Sequence, residues 1–470
     1  MSRPPLVADP TLRRLGGGSW SGGSPLRVLR VSRRGAEILE ELSRGARWEP
    51  SDGPEEELAA RLLAGGLAHP CMHPGYLSSL ALPAAGDVTV AVPVRDDLDG
   101  LEALLEALAG LPHGNVVVVD DGSLDPGAVA RAARNHGARL IRHGSARGPA
   151  AARNTALGAV ETPLVLFIDA DVDPSGLRLE VLLAHMAGEG TVAVAPRVVS
   201  SGGSGILASH DRLRGPLDMG SVPATVRPRS AVPYVPTATL LARTASLRGI
   251  GGFDESLRFG EDVDLVWRLV EAGGVVRYEP AASVTHRARS GWRAWLAQRF
   301  DYGTSAGPLE RRHPGRLAPV SVSPWSAAAW ASVVAGHPVL ACTIVAASAS
   351  RLASALPGVP RRAVVRLAVG GHLAAGGELA RAVLRPWWPV AALAASMSRR
   401  ARRWLLVALL AELAMVPGPL PHRLVEGLGN AAYSLGVWRG SLRERTAGAL
   451  LPMPGWWGER RSRTARTLRR

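Results

Sequence analysis

Asp169 and Asp171, two residues apart at the end of the run Leu164-Val165-Leu166-Phe167-Ile168, are the side chains in this sequence best placed to hold a cation. On an extended strand end, residues i and i+2 point to the same side, so both carboxylates can face one small volume. Like charges held that close repel unless a cation lies between them or one is protonated. An oxygen-liganded divalent ion, its shell completed by phosphate oxygens, resolves the conflict, although a plain strand-to-loop turn also favours Asp. A second acidic pair, Glu261-Asp262, follows Gly260 at the start of an amphipathic helix. The helix dipole favours negative charge there for structural reasons, and a rigid helix start can equally hold a general base toward a cleft. Asp120-Asp121-Gly122-Ser123 ends a run of four valines and could set a carboxylate against the N–H edge of a nucleotide base, with Gly122 turning the backbone away. Arg153 and Asn154 lie one turn into a helix opened by Gly148-Pro149, where a guanidinium either reaches a phosphate or base or is simply solvated. His286 stands alone after a strand and short loop, and a lone His can be surface, core or ligand.

These residues need a scaffold, and the pattern from Asp87 onward supplies one. Val88–Val94 reads as a buried strand, with Pro93 near its end, and Leu101, Leu104, Leu105 and Leu108 mark an amphipathic helix. Val116–Val119 is a second strand, followed by a helix over Gly127–Asn135, a third strand Arg139–Arg142, a helix Gly148–Ala159 and the strand Leu164–Ile168. That alternation predicts a doubly wound α/β domain with a mostly parallel sheet, in which ligands bind at the carboxyl ends of the strands. Asp120, Asp121, Asp169 and Asp171 all fall at such ends. Further on, Gly251-Gly252-Phe253-Asp254 precedes a helix with Val263, Val266, Trp267 and Val270 at helical spacing, stopped by Gly273-Gly274 before a strand Val275–Tyr278.

The flanks differ from this body. All 55 basic residues are Arg, and the net charge is +15. Residues 311–470 hold 23 Arg against 5 Glu, so the excess lies in the C-terminal third, whose usual partners would be nucleic acid or an anionic membrane surface. Two cysteines, Cys71 and Cys342, do not make a disulfide framework and fit a reducing compartment. Residues 1–24 are rich in Pro, Gly and Ser and read as a flexible arm without the apolar core of a signal peptide, so no secretion signal is expected. Residues 25–85 read as a small α+β unit of strand, helix and helix, winged-helix in kind, ending in a Pro/Gly-containing linker; residues 86–310 form the α/β domain. In residues 311–470, Trp325–Ser350 is uncharged and as long as a bilayer span, with His337-Pro338 in its middle, and Arg lies on both sides of it. Val390–Met397 and Trp404–Val416 are too short to span, and the Trp residues beside Arg clusters fit helices lying in a membrane interface.

Taken in order, Val88–Val94, Asp120-Asp121-Gly122-Ser123, Gly148…Arg153-Asn154, Asp169-Ala170-Asp171, Gly251-Gly252-Phe253-Asp254, Glu261-Asp262 and His286 resemble the inverting family 2 glycosyltransferases of GT-A fold over about residues 87–290. The resemblance implies a nucleotide-sugar donor and a divalent metal, Mn2+ or Mg2+. It implies donor binding by Pro93, Asp120, Asp121, Arg153, Asn154 and Asp169, metal contact by Asp171 and His286, and an acceptor side at Gly251, Gly252, Phe253 and Trp267. Asp262 would be the base, with Glu261 beside it. The Gln-x-x-Arg-Trp signature of processive members is absent, Gln298-Arg299-Phe300-Asp301-Tyr302-Gly303 standing in its place, which speaks against long-chain synthesis. More narrowly, Gly65-Gly66-Leu67-Ala68-His69-Pro70, Arg299…Tyr302-Gly303-Thr304-Ser305-Ala306 and the Arg/Trp-rich C-terminal region are similar to the glycosyltransferases of the mycofactocin system. That likeness implies glucose transfer from UDP-glucose onto a peptide-derived redox cofactor, a short β-linked oligoglucan product, and a PqqD-like peptide-recognition role for residues 25–85. The expectation is an enzyme at the cytoplasmic face of the cell membrane, without a nucleic-acid partner. Rival readings are a family 2 enzyme acting on a lipid or envelope-polysaccharide acceptor, a basic nucleic-acid-binding protein, or a membrane scaffold; the acidic strand ends argue against the last two.

Overall fold

The valine-rich runs that predict strands do form the centre of one sheet. The computed structural model describes residues 4–188, 190–287, 291–415 and 418–454. Strands Arg139–Arg142, Val116–Asp120, Val88–Val94 and Leu164–Ile168 lie side by side in that order, all parallel. Leu164–Ile168 is buried along its whole length, as a strand covered on both faces must be. Beyond it the directions are mixed. Thr239–Arg243 pairs antiparallel with Leu164–Ile168, Thr191–Ser201 antiparallel with Thr239–Arg243, and Val275–Arg287 parallel with Thr191–Ser201. The sheet is therefore mixed, not mostly parallel. The long connections after Ile168 return strands in the opposite sense, a matter of topology that apolar runs do not encode.

Register at the far edge matters for chemistry. The two-residue strand Val172–Asp173 folds back onto Val275–Arg287, with Val172 opposite His286 and Asp173 opposite Thr285. This places the residue before Val172, which is Asp171, beside His286.

Residues 6–22, expected to be a flexible arm, contain the strands Leu6–Ala8, Arg13–Gly16 and Ser19–Gly22. Leu6 pairs with Pro70 at the strand Ala68–Pro70, and Leu6, Leu12 and Trp20 are buried with Ile38, Leu39, Leu42, Leu62 and Leu67. Composition misleads here because a few large apolar residues among glycines suffice to close a small core, the glycines supplying turns. After the strand Arg27–Arg30 come helices Arg33–Ser43 and Pro54–Gly65. The linker holds a short helix, Pro74–Ser79, and Met72 and Tyr76 join the core of the large sheet.

The chain divides into two compact units, Met1–Arg14 with Trp20–Ser290, and Leu15–Ser19 with Gly291–Arg470. The boundary after Ser290 assigns helices Trp292–Thr304 and Ala306–Arg312 to the helical unit and not to the α/β domain as expected. Small residues explain the assignment. A Cβ on Gly303 would lie 2.0 Å from the Tyr433 carbonyl oxygen, and one on Gly307 2.2 Å from that of Gly440, so these helices press directly on helix Leu420–Arg443. The expected single span Trp325–Ser350 is broken: Gly336, at φ 87°, ends helix Pro324–Ala335, and Pro338 starts helix Pro338–Ala355. Among the described residues, Pro338–Ala355 is the one helix long and apolar enough to cross a membrane, and it is almost wholly exposed within the unit.

Candidate active site

Four acidic side chains, Asp169, Asp171, Glu261 and Asp262, are organised by one arginine and one histidine. Arg153 sits on helix Pro149–Ala159, which begins with a glycine and a proline and buries Ala150, Ala151, Ala152 and Arg153 itself. Only small side chains on that face let the helix lie close enough for the guanidinium to turn inward. Its Nη2 donates to Asp169 Oδ1 at 2.6 Å and its Nη1 to Glu261 Oε1 at 3.0 Å. The Phe253 ring lies 5.7 Å from the guanidinium carbon and 5.4 Å, edge to face, from the Phe167 ring. Arg153, 4% exposed, thus clamps two carboxylates from segments far apart in the chain, and these neighbours offset its burial and keep it charged.

Those contacts sort the acidic pair at the helix start. Glu261 is committed to Arg153. At Asp262 the Val263 N–H donates to Oδ1 at 2.7 Å. Burial, and next the charge of Glu261, push the Asp262 carboxyl up to about 7, with Arg153 opposing. One carboxylate is tied to the arginine and its neighbour is poised to exchange a proton near neutrality, as a general base requires. Asp169 is also raised by burial, against the pull of Arg153 and with added repulsion from Asp171. Asp171, partly exposed, has Oδ2 3.1 Å from His286 Nε2.

The loop Gly251-Gly252-Phe253 is positioned, not merely adjacent. Gly251 and Gly252 have φ of 80° and 69°, and a Cβ on Gly252 would lie 2.5 Å from Asn154 Oδ1. Asn154 accepts the Phe253 N–H at 2.8 Å and donates to the Phe253 carbonyl at 2.9 Å. From the other side Arg268 donates to the carbonyls of Ile250 and Gly252 at 2.8 and 2.7 Å while paired with buried Asp264 at 2.7 Å. Sequence reading missed Asp264 and Arg268. Their i, i+4 spacing was the available signal, but the same spacing decorates many solvated helix faces.

Several expected contacts take a different form. Asp120 is fully buried: its Oδ1 accepts the Ser123 N–H at 2.8 Å and its Oδ2 pairs with Arg142. Asp121 accepts the N–H groups of Arg147 and Gly148, both at 2.8 Å, and lies 2.7 Å from His143 Nδ1. Both carboxylates therefore shape the loop between Arg142 and Pro149, and neither is open for the direct base contact expected of them. Pro93 is half-buried at the carboxyl end of its strand, opposite Val119. Phe253 and Trp267, expected on the acceptor side, are buried; Trp267 donates from Nε1 to the Pro233 carbonyl at 2.8 Å. Asn154 binds protein backbone, so its role is to fix the loop.

Replacing Arg153 by Met leaves three carboxylates facing one another without their cation. Removing one partner of a buried ion pair costs about 3–5 kcal/mol. The expected result is a melting temperature lower by several degrees at pH 8. Differential scanning calorimetry checks it, and an unchanged melting temperature would show that the clamp has no structural weight.

The family described as Glycosyl transferase family 2 matches residues 89–246. The pre-mycofactocin glycosyltransferase of Mycobacterium tuberculosis (strain ATCC 25618 / H37Rv) is 39% identical over 469 residues, covering 95% of this chain and 97% of that protein. Succinoglycan biosynthesis protein ExoU of Rhizobium meliloti (strain 1021) is 32% identical over 206 residues, covering 40% of this chain and 58% of that protein. Among solved structures, mannosyltransferase PcManGT from Pyrobaculum calidifontis, in complex with GDP-Man and Mn2+, gives a TM-score of 0.43 at 19% identity, over 78% of this chain and 92% of that one. With a relative matched along nearly its whole length, the chain belongs to the family 2 glycosyltransferases and is homologous to the pre-mycofactocin glycosyltransferase.

Proposed function

We propose that this glycosyltransferase moves glucose from UDP-glucose, with inversion, to a hydroxyl of a peptide-derived redox cofactor of the mycofactocin type and builds a short β-linked oligoglucan. The observation that carries the chemistry is the division of labour at the helix start, Glu261 paired with Arg153 and Asp262 left to titrate near 7. The likeness along the whole chain supports the acceptor. Asp262 takes the proton of the attacking hydroxyl as its oxygen bonds to the anomeric carbon, and the bond from that carbon to the nucleoside diphosphate breaks on the opposite face. Asn154 and Arg268 hold the glycine-rich loop that borders this event, and Arg153 fixes the position of Asp169.

A divalent cation, Mn2+ or Mg2+, fits the donor set at the sheet edge. A carboxylate and an imidazole 3.1 Å apart, with Asp169 close by, offer hard oxygen and borderline nitrogen ligands. Among the described residues no group of three or more His, Cys, Asp or Glu could hold a metal by itself. Asp171 and His286 would therefore hold the ion together with the donor's phosphates, and the ion would offset charge on the departing diphosphate. Residues 25–85 are assigned to acceptor recognition, and the helical unit, with its exposed apolar helix, to attachment at the cytoplasmic face of the membrane. That exposed surface also favours a second reading, a lipid-linked acceptor.

Incubating the purified protein with a panel of nucleotide sugars, and with peptide-derived and lipid-linked acceptors, tests the assignment. Product on a lipid-linked acceptor and none on the peptide-derived one would overturn the first reading. The base assignment adds a pH test. Asp262 is protonated below about 7 and cannot accept a proton, so kcat/KM should fall about tenfold per pH unit below that value and level off above it. A profile flat from pH 5.5 to 8.5, measured at saturating metal, would remove Asp262 from the proton transfer.

A further inference from the structure

Within the helical unit lies a cavity of about 230 Å³ that the transfer reaction leaves unused. Its lining includes Leu317, Tyr433 and Val437 and three charged residues, Glu378, Arg381 and Arg385. Arg381, in the last turn of helix Arg361–Leu384, and Arg385, just beyond it, are exposed and both line this space. With Glu378 also in the lining, the two guanidiniums leave the space net positive, and among the described residues neither forms an ion pair. Arg385 is stacked 5.4 Å from the Tyr433 ring centroid, and Glu378 accepts the Ser321 N–H at 3.4 Å. The helix dipole accounts for one basic residue in a last turn, not for a pair converging on a cavity.

The walls are pinned independently of any ligand. Trp387 Nε1 donates to the Leu450 carbonyl at 2.6 Å and Trp438 Nε1 to the Pro386 carbonyl at 2.7 Å. Around these wall segments, Val390, Leu393 and Met397 on helix Trp388–Met397 and Leu435 and Leu442 on helix Leu420–Arg443 are exposed. A fork of guanidinium N–H groups matches phosphate oxygens, and apolar side chains beside it match acyl chains. The space is below the roughly 300–1,000 Å³ of pockets that bury larger ligands, and so suits a headgroup-sized anion. We propose that this cavity binds a phosphate group through Arg381 and Arg385, presented by the headgroup of an anionic phospholipid or as free phosphate. The proposal does not depend on which sugar or acceptor the enzyme uses.

The test uses the full chain and vesicles of phosphatidylcholine with and without phosphatidylglycerol. Arg381→Gln with Arg385→Gln should weaken flotation with the anionic vesicles about tenfold or more, while Arg351→Gln with Arg366→Gln, an equal charge change in the same unit, should weaken it far less. Inorganic phosphate separates the sources. If it raises the melting temperature of the wild type and not of the cavity pair, and displaces vesicles, the site takes free phosphate too; if only vesicles bind, it reads a lipid. In the wild-type protein, either ligand should protect Arg381 and Arg385, but not Arg351 and Arg366, from arginine-modifying phenylglyoxal, a readout no misfolded variant can confuse. Equal losses in the two variant pairs, or no protection of Arg381 and Arg385 by either ligand, overturn the proposal.

Discussion

Asp262→Asn is expected to lower kcat by about 10²–10⁴-fold while donor affinity stays nearly unchanged. The amide keeps the size of the side chain and an oxygen to accept the Val263 N–H, and Glu261 remains paired with Arg153, so the helix start should stand. What is lost is the ability to take a proton at neutral pH. Stability supplies an independent check with a definite sign. A carboxyl raised from 3.8 to about 7 holds its proton longer folded than unfolded, so its contribution falls as pH rises between those values. Asp262→Asn should therefore melt above the wild type at pH 8, the gap narrowing toward pH 5. Glu261→Gln should behave in the opposite way, losing an ion pair and stability but less activity. If steady-state rates and isothermal titration with UDP show Glu261→Gln to be the inactive variant and Asp262→Asn the active one, the base has been placed one residue too late.

Asp171→Asn is expected to abolish metal-dependent binding of UDP and to cut transfer by at least about a hundred-fold, the scale on which losses at metal sites are felt. The amide oxygen is a weaker ligand, and the change also removes the charge that faces His286 at 3.1 Å. His286→Ala should weaken metal-dependent binding less, since the charged ligand remains. Titrating UDP with and without Mn2+ into each protein decides the matter. Equal metal dependence in the Asp171 variant and the wild type would mean that the proposed cation is held elsewhere.

Some of this site was legible before any fold was known, because local physics writes it locally. Apolar runs of strand length ending in Asp marked Asp121, Asp169 and Asp171 at the carboxyl ends of strands, and the stripe Val263, Val266, Trp267 marked a helix with two acids in its first turn.

Which of those residues face one another was not legible, because it depends on closure and register across long separations. Asp121 and Asp169 look equivalent in the chain, yet the loop through Arg147 and Gly148 folds back to bury the first and leaves the second in the cluster. Arg153 reads as a helix surface residue until Glu261, 108 positions away, is brought to its Nη1. His286 joins Asp171 only because Val172 pairs with it across the sheet edge, and a slip of one residue would turn it to the opposite face. The same reason accounts for the N-terminal strands. Trp20 among glycines has no periodicity of its own, and only the helices packed over it after folding make its segment ordered. Local period and composition determined the elements and the acids at their ends; the pairing that divides Glu261 from Asp262, and so clamp partner from base, was decided by tertiary structure, since burial and the distance between charges exist only once distant segments meet.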